Sequence, residues 1–140
     1  MQTNNFKNKL VAILNKKIEP GRQMNALSHM CIGLGSVIGT EELRLCDYSD
    51  ADGGSHPYIS EQPFIILGAN SNKIRKLREQ AIENDILFND FTDTMIIGTY
   101  KEQMELTAKT EELNLEYFGI VLYGNWEKVS EMTKKFSLLK

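Results

Sequence analysis

Four short apolar runs alternate along the chain with four segments of helical periodicity. The runs have the length and the β-branched content of buried strands. They cover Lys9–Leu14, Phe64–Ala69, Ile86–Phe91 and Leu115–Tyr123. The helical segments cover Gln23–Leu34, Asn72–Asn84, Lys101–Leu113 and Trp126–Leu138. This alternation predicts an α/β fold, a three-layer α-β-α sandwich around a four-stranded, mostly parallel mixed sheet.

The region between the first predicted helix and the second strand shows neither pattern. Thr40–Glu61 is rich in Asp, Gly, Ser and Pro, so we expect a loop with a short extended piece at Arg44–Asp47. Loops of this length in compact domains are often functional. We expect a frayed end at residues 1–6 and a single domain, 1–140, with an ordered core at about 7–138.

Composition narrows the class of protein. The net charge is -3 and the isoelectric point is about 5.4, which disfavours nucleic acid as a partner because such binders usually have a basic surplus. Two cysteines without a CxxC motif are typical of a reduced, cytoplasmic protein. The polar N-terminus has no signal-peptide character, and no apolar run approaches the ~20 residues of a membrane span. We therefore expect a cytoplasmic protein with no membrane partner.

Polar side chains concentrate where the predicted strands end. The first strand runs into Asn15, and the helix that follows presents Asn25, Ser28 and His29. Such positions commonly form sites in α/β proteins. His29 could be a general base or a hydrogen-bond donor, because histidine titrates nearest neutral pH. Asp90, near the end of the third strand, could orient it or a water. The structural alternatives are a histidine bonded to a backbone carbonyl and a turn aspartate.

The same cleft would be completed by residues that bind a substrate. Asn25 and Thr94 would contact carbonyl or amide groups, and their alternative role is hydrogen bonding within the helix and loop. His56 could close over the cleft, although it could equally be an ordinary loop residue. The predicted substrate-binding set is Asn15, Asn25, Ser28, Thr94 and His56.

Two motifs fail when their spacing is checked. Gly33–Gly39 resembles a dinucleotide fingerprint, but Ile38 occupies the position of the last glycine and the segment ends a helix. The Asp50–Gly53 segment resembles half of a calcium loop, but the first and twelfth ligand positions hold Tyr and Ile. A looser metal site from Asp50, Asp52 and His56 is the weaker alternative. We predict no metal and no cofactor.

The order and spacing of these residues resemble the type II peptidyl-tRNA hydrolase superfamily. In that superfamily, a first strand leads through a basic, glycine-containing turn into a helix with a Ser-His pair, here Ser28-His29 after Pro20-Gly21. Its third strand delivers an amide-acid pair followed by a threonine, here Asn89-Asp90 and Thr94. The chain is most similar to the uncharacterised bacterial branch filed as domain of unknown function two-thousand. The resemblance covers about residues 7–138 and implies that superfamily's fold.

The departures from the superfamily pattern leave two functions open. Ala26 replaces a helix glutamine, and Asp93 replaces an arginine and would repel a tRNA phosphate. One hypothesis is a small hydrolase of amide- or ester-linked substrates, with His29 and Asp90 catalytic and a peptidyl-type ligand. The other is a non-catalytic module that holds a small molecule or a protein. An exposed strand edge and Leu138-Leu139 predict a homodimer.

Overall fold

The computed structural model of the chain describes residues 6–140. Within that range the strands are β1 (Asn8–Asn15), β2 (Leu45–Ser49), β3 (Ser55–Ser60), β4 (Phe64–Ala69), β5 (Leu87–Thr92), β6 (Tyr117–Asn125) and β7 (Ser137–Leu138). The α-helices are α1 (Pro20–Ile38), α2 (Thr40–Leu43), α3 (Ser71–Glu83), α4 (Tyr100–Lys109) and α5 (Trp126–Thr133). Short 3₁₀ turns occupy Asp93–Met95 and Glu112–Asn114.

The central sheet is mixed and has five strands in the order β5-β6-β1-β4-β7. Only β1 and β4 run parallel, and the other three pairings are antiparallel. The predicted α/β fold with a mixed sheet is confirmed, but the prediction that the sheet has four strands and is mostly parallel is wrong. A helix between two strands implies a parallel crossover when it packs on the sheet, but α4 has no buried residue and contacts the adjacent 3₁₀ turn instead. This leaves β6 free to pair antiparallel with β5.

Helices cover both faces of the sheet, so the protein has three layers. Successive side chains of β1 point to opposite faces. Leu10, Ala12 and Leu14 pack with the inner side of α1. Val11 and Ile13 pack with the inner sides of α3 and α5. The helix that follows β1 and the helix that follows β4 therefore lie on opposite faces.

Two segments form a different type of structure from the one predicted, and the other predicted elements differ only in where they begin or end. The predicted loop at Thr40–Glu61 is α2 followed by a two-stranded hairpin of β2 and β3. Most hairpin side chains are exposed, so the sequence has no buried alternation to show the strands. The predicted last helix ends at Thr133, and Ser137–Leu138 forms an edge strand on β4.

The N-terminal prediction can be checked at one residue only, because residues 1–5 lie outside the described part of the chain. That residue, Phe6, is held by contacts of its aromatic ring. Its ring stacks on Trp126 with centroids 6.4 Å apart, and the Arg44 guanidinium lies 4.4 Å from its centroid. Among residues 6–140, no helix has the length and apolar content to cross a membrane.

Candidate functional site

His29 and Asp90 do not form the predicted pair. In β5, Asn89 and Phe91 face α1, and the Asn89 amide donates to the backbone carbonyl of the helix at 3.0 Å. The His29 imidazole stacks on Phe91 with ring centroids 5.6 Å apart. Asp90 points to the opposite face, where its carboxylate accepts a hydrogen bond of 3.2 Å from Arg78 Nε on α3. The sheet itself separates the two side chains.

Asp90 instead belongs to a network of charged groups on the α3 face. Burial raises its pKa, and the nearby Arg78 guanidinium opposes part of that rise. Beside it, Glu112 accepts hydrogen bonds from the Tyr117 hydroxyl at 2.6 Å and from Arg75 Nε at 3.1 Å. The Tyr117 hydrogen bond lowers the pKa of Glu112, and burial raises the pKa of Tyr117. These pairs join α3 to β5, β6 and the second 3₁₀ turn.

Asn15 is buried and its side chain bonds to the backbone of the protein itself. Its Nδ2 donates to the Tyr117 carbonyl at 2.9 Å, and its Oδ1 accepts from the Lys17 backbone N–H at 2.9 Å. Its own carbonyl accepts a hydrogen bond of 2.9 Å from the Gln23 amide. These bonds connect the end of β1 to β6 and to the start of α1, which is a structural role.

Thr94 is also buried within a chain of hydroxyl groups. Its Oγ1 lies 2.8 Å from Thr92 Oγ1 and 2.7 Å from Thr107 Oγ1. Thr107 in turn donates to the Gln103 carbonyl at 2.7 Å. The chain of hydroxyls fastens the first 3₁₀ turn to α4, so Thr94 is directed into the protein.

Asn25, Ser28 and His29 share the exposed side of α1. Residues three and four apart on a helix are neighbours on its surface. The Ser28 hydroxyl donates to the Met24 carbonyl at 2.8 Å. Asn25 and His29 are exposed, although the His29 ring also stacks on Phe91. Of the predicted site residues, these three are the ones that the structure brings together.

His56 lies in the hairpin and pairs there with Asp50. The distance between His56 Nε2 and Asp50 Oδ2 is 2.8 Å, and this bond lowers the pKa of Asp50. Within residues 6–140, no group of three or more His, Cys, Asp or Glu side chains is arranged to hold a metal ion. The looser metal site that includes Asp52 is therefore not formed.

A cavity of about 480 Å³ lies at the carboxyl ends of β1 and β4, and the sequence analysis missed it. Lys16 enters it directly after β1, and Lys73 enters it from the first turn of α3. Lys135 and Lys140 enter it from either side of β7. The positions of Lys16 and Lys73 just after strands were visible in the sequence, but the edge strand that brings in the other two was not.

Comparisons with known proteins identify the family and the fold. Residues 8–140 match the family described as protein of unknown function (DUF2000), and the chain belongs to that family. No curated protein matches the chain. A solved structure of a protein of unknown function from Agrobacterium tumefaciens is similar, with a TM-score of 0.81 at 20% identity, over 95% of this chain and 98% of that one. The wider link to type II peptidyl-tRNA hydrolases stays a prediction.

Proposed function

We propose that this member of the DUF2000 family is a non-catalytic module that binds a small ligand. The observation that supports the proposal is the separation of His29 from Asp90 by the sheet. The competing hypothesis, a small hydrolase acting on an amide- or ester-linked substrate, needs these two side chains to act together.

The separation is a consequence of strand register and cannot be removed by a small movement. A general base and the group that orients it lie about 2.6–3.2 Å apart. Bringing Asp90 to the α1 face would require β5 to shift by one residue against β6, which turns every side chain of the strand over. Phe91, which is 6% exposed, would then leave the core, and the Asp90–Arg78 ion pair would break.

The other predicted substrate contacts are also engaged inside the protein. The Asn15 amide and the Thr94 hydroxyl bond to internal partners, so a substrate would have to displace them. Asn25 and His29 remain accessible on α1. Accessible polar groups without an oriented acid-base pair favour binding of a ligand over its chemical conversion.

A turnover assay tests the proposal directly. Purified wild-type protein is incubated with an N-blocked aminoacyl ester beside His29→Ala and Asp90→Asn. We expect the same background rate for all three proteins. A wild-type rate well above background that disappears in His29→Ala would support the hydrolase and contradict the proposal. In a parallel thermal-shift screen of metabolites and anions, at least one compound should raise the melting temperature, and no stabilisation by any compound would also count against it.

Self-association is a second proposal and concerns the edges of the sheet. At one edge the short β7 pairs with Leu67 and Gly68 of β4, while Phe64 and Ile65 earlier in β4 and Leu138 in β7 are exposed. Exposed strand edges can pair with a second copy of the same chain. We expect light scattering at micromolar concentration to give the mass of a homodimer, and a monomer mass alone would refute this.

A further inference from the structure

The topology of the sheet opens a crevice where the lysine-lined cavity lies. β1 and β4 are parallel neighbours, but α1 and α3, which follow them, pack on opposite faces. Where neighbouring parallel strands lead to helices on opposite faces, ligands of open α/β sheets bind outside the carboxyl ends of the strands. The cavity of about 480 Å³ occupies this position, and its volume is within the range of small-molecule sites.

The C-terminal segment forms one wall of the cavity and lies against β4. Ser137 and Leu138 pair with the last part of that strand. A Cβ atom on Gly68 would lie 3.2 Å from Leu139 Cδ1 and 3.6 Å from Lys16 Cβ. Because Gly68 has no side chain, Leu139 and the stem of Lys16 can both pack closely against this part of β4.

The charged side chains that line the cavity are all lysines. Four of the 16 Lys and Arg residues of an acidic chain converge on it, and its lining contains no Asp or Glu side chain. Within the described part of the chain, none of these four lysines forms an ion pair. Clefts lined by like charges concentrate the field and attract counter-ions. A bound anion would relieve the repulsion between Lys16, Lys73, Lys135 and Lys140.

The chemistry of the lining favours phosphate. The arginine fork matches carboxylate and phosphate alike, whereas lysine ammonium groups act as rotatable point charges that suit a compact anion with several negative charges, such as phosphate. Lys73 lies in the first turn of α3, whose N-terminal partial charge adds to the field. A single phosphate carries about two negative charges near neutral pH, so the four lysines of the lining suit two linked phosphates better than one. We infer that the cavity binds a small molecule that carries a diphosphate group. The inference rests on the proposed binding function, because it names the place and the ligand class of that function.

Two pairs of substitutions with equal loss of charge test the inference in the full chain. The first pair, Lys16→Ala with Lys73→Ala, removes two lysines of the cavity. The control pair, Lys17→Ala with Lys76→Ala, removes exposed neighbours that do not line it. Isothermal titration calorimetry with inorganic pyrophosphate, without divalent metal, should show saturable binding to the wild type. We expect the first pair to bind pyrophosphate about tenfold more weakly than the wild type, since each exposed ion pair is worth up to about fivefold in affinity. For the control pair we expect the affinity to change by no more than about twofold.

Three results would overturn the inference. In the first, the wild type does not bind pyrophosphate. In the second, the two pairs of substitutions weaken pyrophosphate binding equally. In the third, the wild type binds citrate as tightly as pyrophosphate. Thermal melts of both double variants should match the wild type, because the four substituted lysines are all exposed. If other compounds stabilise the protein but pyrophosphate does not bind, the inference fails and the binding function stands. If His29-dependent turnover appears while lysine-dependent pyrophosphate binding persists, the proposed non-catalytic function fails alone.

Discussion

Replacing Asn15 by Ala should destabilise the protein although it changes no exposed surface. Asn15 is 2% exposed, and its side chain joins two backbone groups. It donates to the Tyr117 carbonyl and accepts from the Lys17 N–H, both at 2.9 Å. In the variant the Tyr117 carbonyl loses this donor in the interior. The Lys17 N–H lies nearer the surface, where water replaces the lost acceptor.

The magnitude follows from that one buried group. A buried polar group left without its hydrogen bond costs about 1–3 kcal/mol, so we expect the free energy of unfolding to fall by about 2 kcal/mol. This corresponds to about a 30-fold change in the ratio of folded to unfolded protein. For a chain of this size, it also corresponds to a fall of about 8 °C in melting temperature.

Urea unfolding followed by the fluorescence of Trp126 measures the change. Asn25→Ala is the matched control, because Asn25 is exposed on α1 and surface substitutions usually stay within about 0.5 kcal/mol. If Asn15→Ala were as stable as this control, the structural role would be refuted and Asn15 would again be a candidate for ligand binding.

Two further predictions concern the charged network and the core. Burial raises the pKa of Asp90 above its ordinary 3.8, so the native state holds this proton more tightly than the unfolded chain. The stability of the wild type relative to Asp90→Asn should therefore fall as the pH rises from below 3.8 through the native pKa, and then level off. Urea unfolding of both proteins at pH 3, 5 and 7 measures this difference. A relative stability of the wild type that rises with pH would contradict the prediction. Gly119→Ala should cost about 1–3 kcal/mol because the new Cβ would lie 2.8 Å from Leu14 Cδ2. Gly21→Ala, in open space within α1, should stabilise by about 0.5–1 kcal/mol, and equal thermal melts of the two variants would refute the packing argument.

The positions of the apolar strands and of the helix ends could be predicted because they depend on residues that are close together in the sequence. The Phe64–Ala69 run has the same bounds as β4, because a short apolar run between turn residues is typical of a strand, although Phe64 and Ile65 at its start are exposed. Asn70 caps α3, as asparagine commonly does before a helical segment, and its side chain accepts a hydrogen bond of 2.9 Å from the Lys73 backbone N–H. The first helix begins earlier than predicted, at Pro20, because proline fits the first helical turn.

Pairing and order of the strands could not be predicted in the same way. The hairpin has mostly exposed side chains, and Ser137–Leu138 is too short for any periodicity. The hairpin pairs residues that are near each other in sequence, such as Ser49 with Ser55, whereas β7 is determined by backbone hydrogen bonds to partners distant in sequence. The Leu139 backbone N–H, for example, donates to the Ile66 carbonyl at 3.1 Å. Nothing in a local window encodes such a partner.

The failure of the predicted acid-base pair and the existence of the lysine cavity have one physical cause. Each depends on which face of the sheet a side chain or a helix occupies. α1 and α3 lie on opposite faces of the sheet, so His29 on α1 and Asp90 beside α3 are kept apart. The same divergence of the helices opens the crevice at the carboxyl ends of β1 and β4, where Lys16 and Lys73 line the same cavity. A shift of β5 that restored the pair would leave that crevice in place, because β5 lies at the far edge of the sheet from it. The anion site is therefore independent of whether His29 takes part in catalysis.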